Sequence, residues 1–471
     1  MKCSYALLAL LATSAPTFIS ASSSRSFKYS LTYNANYLPS IEQVIRQAHA
    51  RLGFSPTQTN KEFFASHSTS SSSSKCSDDI EKRGLSSHSN VFHINSNDYI
   101  VDKGWGGIAV SSATNDEANN AWYITVGFGT PAQDINMMFD SGSSGLVVYD
   151  STCSDCPLNN HSSFDTSKSS TFQVVDGLNF TIAYGDGTAS SGYVGTDVVT
   201  VGNDDETLCV KDQEIELSTN SSGYGTDQGF DGYLGIMQDA GSVINGTGLF
   251  SNMIKQDVLD KPLIGIAFKK DKRTIWGPAS ADDPNTGLPG QGGEVSFGEI
   301  NYEYVRGEIT YLGVTSTTYW GTSIDAIYAG SKSVMDSSDT NRTIFDTGTT
   351  LIFLSTDTAA NVHAQINGAY VDDEGVWYVP CDIGTLSYAP PIYFQFGGRK
   401  FAVPASDLAY KRSSSNDLCT SGIQGGSPYF NVMGDVFISN HYVVLEYRNG
   451  DLSDPYVGLA NRRDLQLPTL F

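Results

Sequence analysis

The sequence predicts an all-β protein of two lobes related by a pseudo-twofold axis, with a cleft between them. Three observations carry that expectation. From about Trp122 onward, short runs of Val, Ile, Tyr and Thr alternate with Gly, Asp and Asn, the texture of many short strands joined by turns. The composition agrees: 46 Gly, 25 Tyr and 23 Phe accompany only 17% charged residues. That is neither the aromatic-poor, highly charged mix of a disordered chain nor the Ala-, Glu-, Lys- and Leu-rich mix of a coiled coil. Finally, one six-residue pattern occurs twice, as Phe139-Asp140-Ser141-Gly142-Ser143-Ser144 and as Phe345-Asp346-Thr347-Gly348-Thr349-Thr350.

Ahead of the strand-rich region the chain has a different character. Met1 and Lys2 precede an apolar run from Tyr5 to Ala12, followed by small residues near Ser20 and Ala21. This order of parts predicts a secretory signal over residues 1–21, and the apolar run is too short to span a bilayer. Leu38, Ile41, Val44, Ile45 and Ala48 then recur at helical spacing. A Ser-rich tract around Ser66 to Ser74 reads as an unfolded linker. Lys82-Arg83 is an open dibasic pair in polar surroundings, suited to a processing cut. Residues 22–83 are therefore expected to be a removable leader and 84–118 an N-terminal extension of the mature chain. The lobes are expected at 119–300 and 301–471. The clearest helical pattern within them runs from Thr358 to Ile366.

The duplication continues past the six-residue pattern. Each copy follows an apolar run, Ile135 to Phe139 and Thr343 to Phe345, and each half later carries two apolar residues and a Gly, Tyr233-Leu234-Gly235 and Val432-Met433-Gly434. A turn needs Asp and Gly but does not need hydroxyls at the same flanking positions in both copies. Two carboxyls brought together by such symmetry cannot both ionise easily, so they share one proton and supply a base and an acid in one place. The ionised Asp can take a proton from water while the protonated one polarises a substrate carbonyl. Gly142 and Gly348 let backbone N–H groups approach the carboxylates. Ser141 and Thr347 can hydrogen-bond between the two loops, and Ser143 and Thr349 can hold the outer carboxylate oxygens.

In these motifs the chain resembles the secreted fungal members of the pepsin family of aspartic endopeptidases. The resemblance covers residues 119 to 462. Tyr123 with Gly127-Phe128-Gly129-Thr130-Pro131-Ala132-Gln133 is similar to the family's opening strand, and Tyr184-Gly185-Asp186-Gly187 to its flap hairpin. Phe230-Asp231-Gly232-Tyr233-Leu234-Gly235, Val432-Met433-Gly434-Asp435 and Val457-Gly458-Leu459-Ala460 resemble later family segments, and Leu31 to Tyr37 the start of a fungal propeptide. The resemblance implies a pepsin-like double β-barrel, Asp140 and Asp346 as the catalytic pair, and Tyr184 as the flap residue. It places Gly185 in the flap and Asp186 and Thr188 at the flap tip near the first specificity pocket, and implies the disulfides Cys153–Cys156 and Cys381–Cys419. It further implies polypeptide substrates, the leader as an intramolecular inhibitor, a zymogen, no cofactor, and action at acid pH. The departures are Ser141 where Thr is commoner, a long polar stretch from Lys269 to Gly293, and Val147 where the family usually has a Trp supporting the flap Tyr.

The residues themselves leave more open. Of the seven Cys, Cys3 leaves with the signal, Cys153 and Cys156 could close a small ring, and Cys381 and Cys419 a larger one. Cys76 and Cys209 could pair with each other, or Cys209 could be a free thiol. Asp186 could attract a basic side chain before the cut or only favour a turn. Tyr224 and Tyr233 could line the same pocket or only pack. Asn160, Asn179, Asn220, Asn245 and Asn341 each begin an Asn-x-Ser/Thr triplet, and some are expected to carry glycans. The His and Cys spacings match no metal site, and Lys269, Lys270, Lys272 and Arg273 read as a solvated basic face. The alternatives to a protease are an inactive binding protein on the same fold and a two-carboxylate glycosidase, which would not explain the hydroxyl-Gly loops.

The net charge of −23 repels phosphate backbones and argues against nucleic acid. It is also unevenly placed: residues 1–83 carry +4 and the remainder −27. A basic leader on an acidic body is expected to pair with it at neutral pH and to loosen in acid. No later segment is long and apolar enough for a membrane span, and a soluble, secreted monomer is expected.

Overall fold

The computed structural model describes residues 109–468 except 113, 116–120, 155, 157–160, 185–187, 204–205, 223–229, 272–285, 288–291, 386–388, 414–417 and 428. The signal, the leader with its helical spacing and dibasic pair, Cys76, Gly185, Asp186, Tyr224, Asn160, Lys272 and Arg273 lie outside the described residues, as does most of the long polar stretch.

The all-β, bilobal pepsin-like architecture expected from the sequence is present. One sheet forms the N-terminal lobe, in the order Thr114–Asn115, Trp122–Phe128, Gln133–Asp140, Gly232–Gly235, Leu146–Tyr149, Glu206–Ser222, Ala189–Asn203 and Gln173–Ala183. Trp122–Phe128 also pairs with Ala189–Asn203, which curls the sheet back on itself. The C-terminal lobe contains a five-stranded sheet and two four-stranded sheets. Its clearest helix spans Thr356–His363, with Ser355 as cap accepting from the Thr358 N–H, close to where helical spacing placed it.

A six-stranded sheet joins the halves, in the order Ala109–Ser112, Gly293–Phe297, Leu263–Phe268, His441–Tyr447, Pro455–Arg462 and Val305–Gly313. Leu263–Phe268 reads Leu-Ile-Gly-Ile-Ala-Phe and is buried throughout, as a short unbroken apolar run covered on both faces should be. The strands Ala109–Ser112 and Thr114–Asn115 belong to these sheets, so regular structure begins ahead of residue 119. Between the lobes, Trp320 is fully buried and its Nε1 donates to the Ile236 carbonyl at 2.7 Å. Gln238 Nε2 donates to the carbonyls of Ser316 at 3.0 Å and Tyr319 at 2.8 Å. These bonds tie the segment after Gly232–Gly235 to the segment that follows Val305–Gly313.

Both disulfides implied by the resemblance are formed, Cys153–Cys156 and Cys381–Cys419. Cys209 is disulfide-bonded as well, which removes the free-thiol alternative at that position. Lys270 departs from the solvated face expected of it. Its side chain is largely buried, paired with Asp407 and donating to Asn440 Oδ1 at 3.3 Å.

Candidate active site

The repeat becomes two copies of one local structure. Gln133–Asp140 runs parallel to Gly232–Gly235, with Asp140 opposite Gly235, while Leu146–Tyr149 pairs antiparallel on the other side. In the second copy, Arg342–Phe345 runs parallel to Asn431–Met433, and Ile352–Phe353 pairs antiparallel. Each apolar-apolar-Gly segment thus lies between the two strands that flank an Asp loop. Its Gly is required by the loop passing over it. A Cβ at Gly235 would stand 2.6 Å from the Ser143 carbonyl oxygen, and one at Gly434 would stand 2.3 Å from those of Thr349 and Leu351.

At the loop tips the two halves meet. The Ser141 N–H donates to Thr347 Oγ1 at 2.8 Å and the Thr347 N–H donates to Ser141 Oγ at 3.0 Å. Each hydroxyl then donates onward across the pseudo-twofold axis, Ser141 to the Phe345 carbonyl at 3.0 Å and Thr347 to the Phe139 carbonyl at 2.7 Å. The Gly142 N–H donates to Asp140 Oδ1 and the Gly348 N–H to Asp346 Oδ1, both at 2.8 Å. Thr349 Oγ1 donates to Asp346 Oδ2 at 2.6 Å. Its counterpart differs: Ser143 lies near Asp140 and favours its charged form, yet its hydroxyl does not reach hydrogen-bonding geometry. The expectation that both outer oxygens are held alike is met at Thr349 and not at Ser143.

The glycines show how close the loops are. A Cβ at Gly142 would stand 2.2 Å from Asp346 Oδ1, and one at Gly348 would stand 2.2 Å from Asp140 Oδ1. Each loop's Gly therefore packs on the other loop's carboxylate. Burial raises the pKa of both Asp140 and Asp346, and the charge of Asp140 raises Asp346 further. Two carboxyls this close cannot both ionise easily, because loss of the first proton disfavours loss of the second.

Tyr184 follows the strand Gln173–Ala183, and its N–H donates to the Thr188 carbonyl at 2.8 Å, continuing the pairing of that strand with Ala189–Asn203. The aromatic partner that Val147 cannot supply is Tyr233, whose ring stacks on that of Tyr184. Asn179, Asn220, Asn245 and Asn341 are exposed. His363 and His441 are core residues: burial holds their pKa values down at about 4 and about 3, and His363 bridges the Ala359 carbonyl and Ser421 Oγ. Among the described residues no group of three His, Cys, Asp or Glu is placed to hold a metal ion, and no helix is long and apolar enough to cross a membrane.

One residue at the site was not anticipated. Glu216, on the strand Glu206–Ser222, is 1% exposed and its Oε2 has no hydrogen-bond partner among the described residues. It lies beneath the first Asp loop, where a Cβ at Gly145 would stand 2.4 Å from Oε2.

Two lobes that each contribute one Asp loop to a shared hydroxyl lattice define an aspartic hydrolase. The chain matches the eukaryotic aspartyl protease family over residues 121–461, and it belongs to that family; it is an aspartic endopeptidase. It is 34% identical to syncephapepsin of Syncephalastrum racemosum over 347 residues, 73% of this chain and 80% of that one. Rhizopuspepsin-2 of Rhizopus niveus is 29% identical over 441 residues, 93% of both chains. Embryonic pepsinogen of Gallus gallus is 30% identical over 340 residues, covering 72% and 80%.

Proposed function

We propose that the protein is a secreted zymogen which, once the chain is cut after its leader, cleaves polypeptides at acid pH with a water activated by Asp140 and Asp346. The observation that carries this reading is the mirrored lattice in which each carboxylate is held by its own loop's Gly N–H and packed on by the other loop's Gly. A peptide bond lying across the pair meets a base and an acid at once. The ionised carboxylate takes a proton from the water as its oxygen bonds to the scissile carbonyl carbon. The protonated carboxyl gives its proton to the carbonyl oxygen, forming a gem-diol. Collapse of the gem-diol breaks the C–N bond, with a proton passing to the leaving amine. The chemistry requires no cofactor.

Denatured haemoglobin at acid pH tests this. Cleavage, its block by a statine-type inhibitor, and its loss in Asp140→Asn are expected. Undiminished cleavage by Asp140→Asn would refute the assignment, and a folded protein that binds peptide without cutting it would favour the inactive binding protein.

The leader, residues 22–83, carries +3 and residues 84–471 carry −27, which supports ion pairing across the cleft at neutral pH, weakened in acid as carboxylates protonate. A chain lacking residues 22–83 that folds but stays inactive in acid would overturn that role. Cys209 bears on processing too. The other four described cysteines are paired with each other and Cys3 leaves with the signal, so Cys76 is the thiol left for Cys209. A cut at Lys82-Arg83 would then leave part of the leader tethered to the enzyme. Electrophoresis of the processed protein should release a fragment only under reduction, and release without reductant would contradict the tether. Exposure of Asn179, Asn220, Asn245 and Asn341 suits them as glycan acceptors. We assign the protein as a monomer whose partners are its polypeptide substrates and its own leader.

A further inference from the structure

Tyr184 and Tyr233 have rings 4.6 Å apart at an interplanar angle of 21°, and Phe230 meets Tyr233 edge-on at 5.5 Å and 75°. All three are about 5% exposed, in an apolar cluster with Met138, Val147, Phe180, Ile182 and Val194 that is separate from the main core. Tyr233 is well placed to hold another residue still. Its strand, Gly232–Gly235, is clamped on both sides, with Tyr233 opposite Met138 in the parallel pairing and opposite Val147 in the antiparallel one. Two residues further on, Gly235 is opposite Asp140. Tyr233 is therefore fixed in the frame of the Asp loop, whereas Tyr184 only continues the pairing of Gln173–Ala183 with Ala189–Asn203. Directly opposed residues on one sheet face compete for the same volume. Val147 is small, and that leaves room for a ring at position 233.

We propose that Tyr233 is the positioning residue of the flap, a fixed aromatic platform that docks Tyr184 over the catalytic pair, and that Val147 and Tyr233 form one exchangeable unit in which only one position can carry the large ring. The inference rests on the reading of Asp140 and Asp346 as catalytic. It assigns Tyr233 to the flap rather than to direct substrate contact. The hydroxyl contributes little to a stack, so the ring alone should suffice. Loss of a stacked aromatic pair corresponds to roughly a three- to tenfold change in a rate or equilibrium.

The test compares Tyr233→Phe, Tyr233→Ile, Val147→Trp and the double exchange Val147→Trp/Tyr233→Ile on one chromogenic peptide with Phe before the cut. Rates are expressed per site titrated with a statine-type inhibitor, so that a loss of folded protein does not count as a loss of kcat/KM. Tyr233→Phe should stay within about twofold of the parent, and Tyr233→Ile should fall three- to tenfold. Val147→Trp alone should also fall, because the new ring crowds Tyr233. The double exchange should recover most of the loss. An unchanged Tyr233→Ile, an equal loss in Tyr233→Phe, or a double exchange no better than Tyr233→Ile would each overturn the proposal. If Tyr233→Ile yields no titratable sites, Val147→Trp decides, and a parental kcat/KM in that variant overturns it. Asp140→Asn is assayed alongside: activity retained there defeats the catalytic assignment, whatever Tyr233 does.

Discussion

Replacing Glu216 with Gln should flatten the loss of stability that the N-terminal lobe suffers as pH rises. Burial, and after it the charge of Glu214, holds the Glu216 carboxyl at about 7 in place of 4.5. Its strand pairs with Val147 on one side and Val194 on the other, and Gly145 covers its oxygens. Glu214, its titratable neighbour, is occupied in accepting from the Thr247 N–H at 2.8 Å. Below pH 4.5 the carboxyl is neutral in both folded and unfolded chains and costs nothing in ionisation. Between 4.5 and 7 the unfolded chain releases the proton while the folded chain keeps it, so stability falls with rising pH. At about 1.4 kcal/mol per tenfold, the full loss by pH 7 is on the order of 3 kcal/mol. Gln keeps the shape and does not titrate. Urea unfolding followed between pH 4 and pH 7.5, in an Asp346→Asn background that cannot digest itself, reads the effect. The parent should lose about 3 kcal/mol more than Glu216→Gln over that range. Parallel curves for the two proteins would refute the reasoning, because they would mean that Glu216 ionises in the fold as freely as in the unfolded chain.

Other consequences follow from the same geometry. Gly348→Ala should lower kcat/KM about a hundredfold or more while leaving the circular dichroism unchanged, because its Cβ would displace the Asp140 carboxylate; near-parental activity would contradict the close packing, and Gly142→Ala should behave alike through Asp346. Removing Cys381–Cys419, which closes 38 positions, should cost about 4 kcal/mol against about 2 for Cys153–Cys156, which closes 3. Equal losses in equilibrium unfolding would show that loop closure is not what these bridges contribute.

Much of the site was legible because it is written twice. A hydroxyl before and after each Gly, in both copies, has no reason in turn geometry, and in the fold Ser141 and Thr347 use theirs to bind each other's backbone. The strand texture and the helix at Thr356–His363 were legible because period and capping are local properties. What escaped depends on which face of a strand is covered. Glu214-Ile215-Glu216-Leu217 alternates like an amphipathic strand with its acids in water, but the Asp loop covers the second face and buries Glu216. Lys270 stands in a basic run that reads as solvated, yet Asp407 comes to it from the other half of the chain. The stack of Tyr184 on Tyr233 required the register that sets Val147 opposite Tyr233, which spacing alone does not contain.

The sharing of one proton between Asp140 and Asp346 is tested most directly by kcat/KM against pH for a short peptide in the parent, Asp140→Asn and Asp346→Asn. A bell-shaped parental profile centred in the acid range is predicted, with each single Asn variant reduced by roughly 10²- to 10⁴-fold per mole of folded protein. A parental profile without an alkaline limb, or either Asn variant retaining more than about a tenth of the parental value, would contradict the assignment.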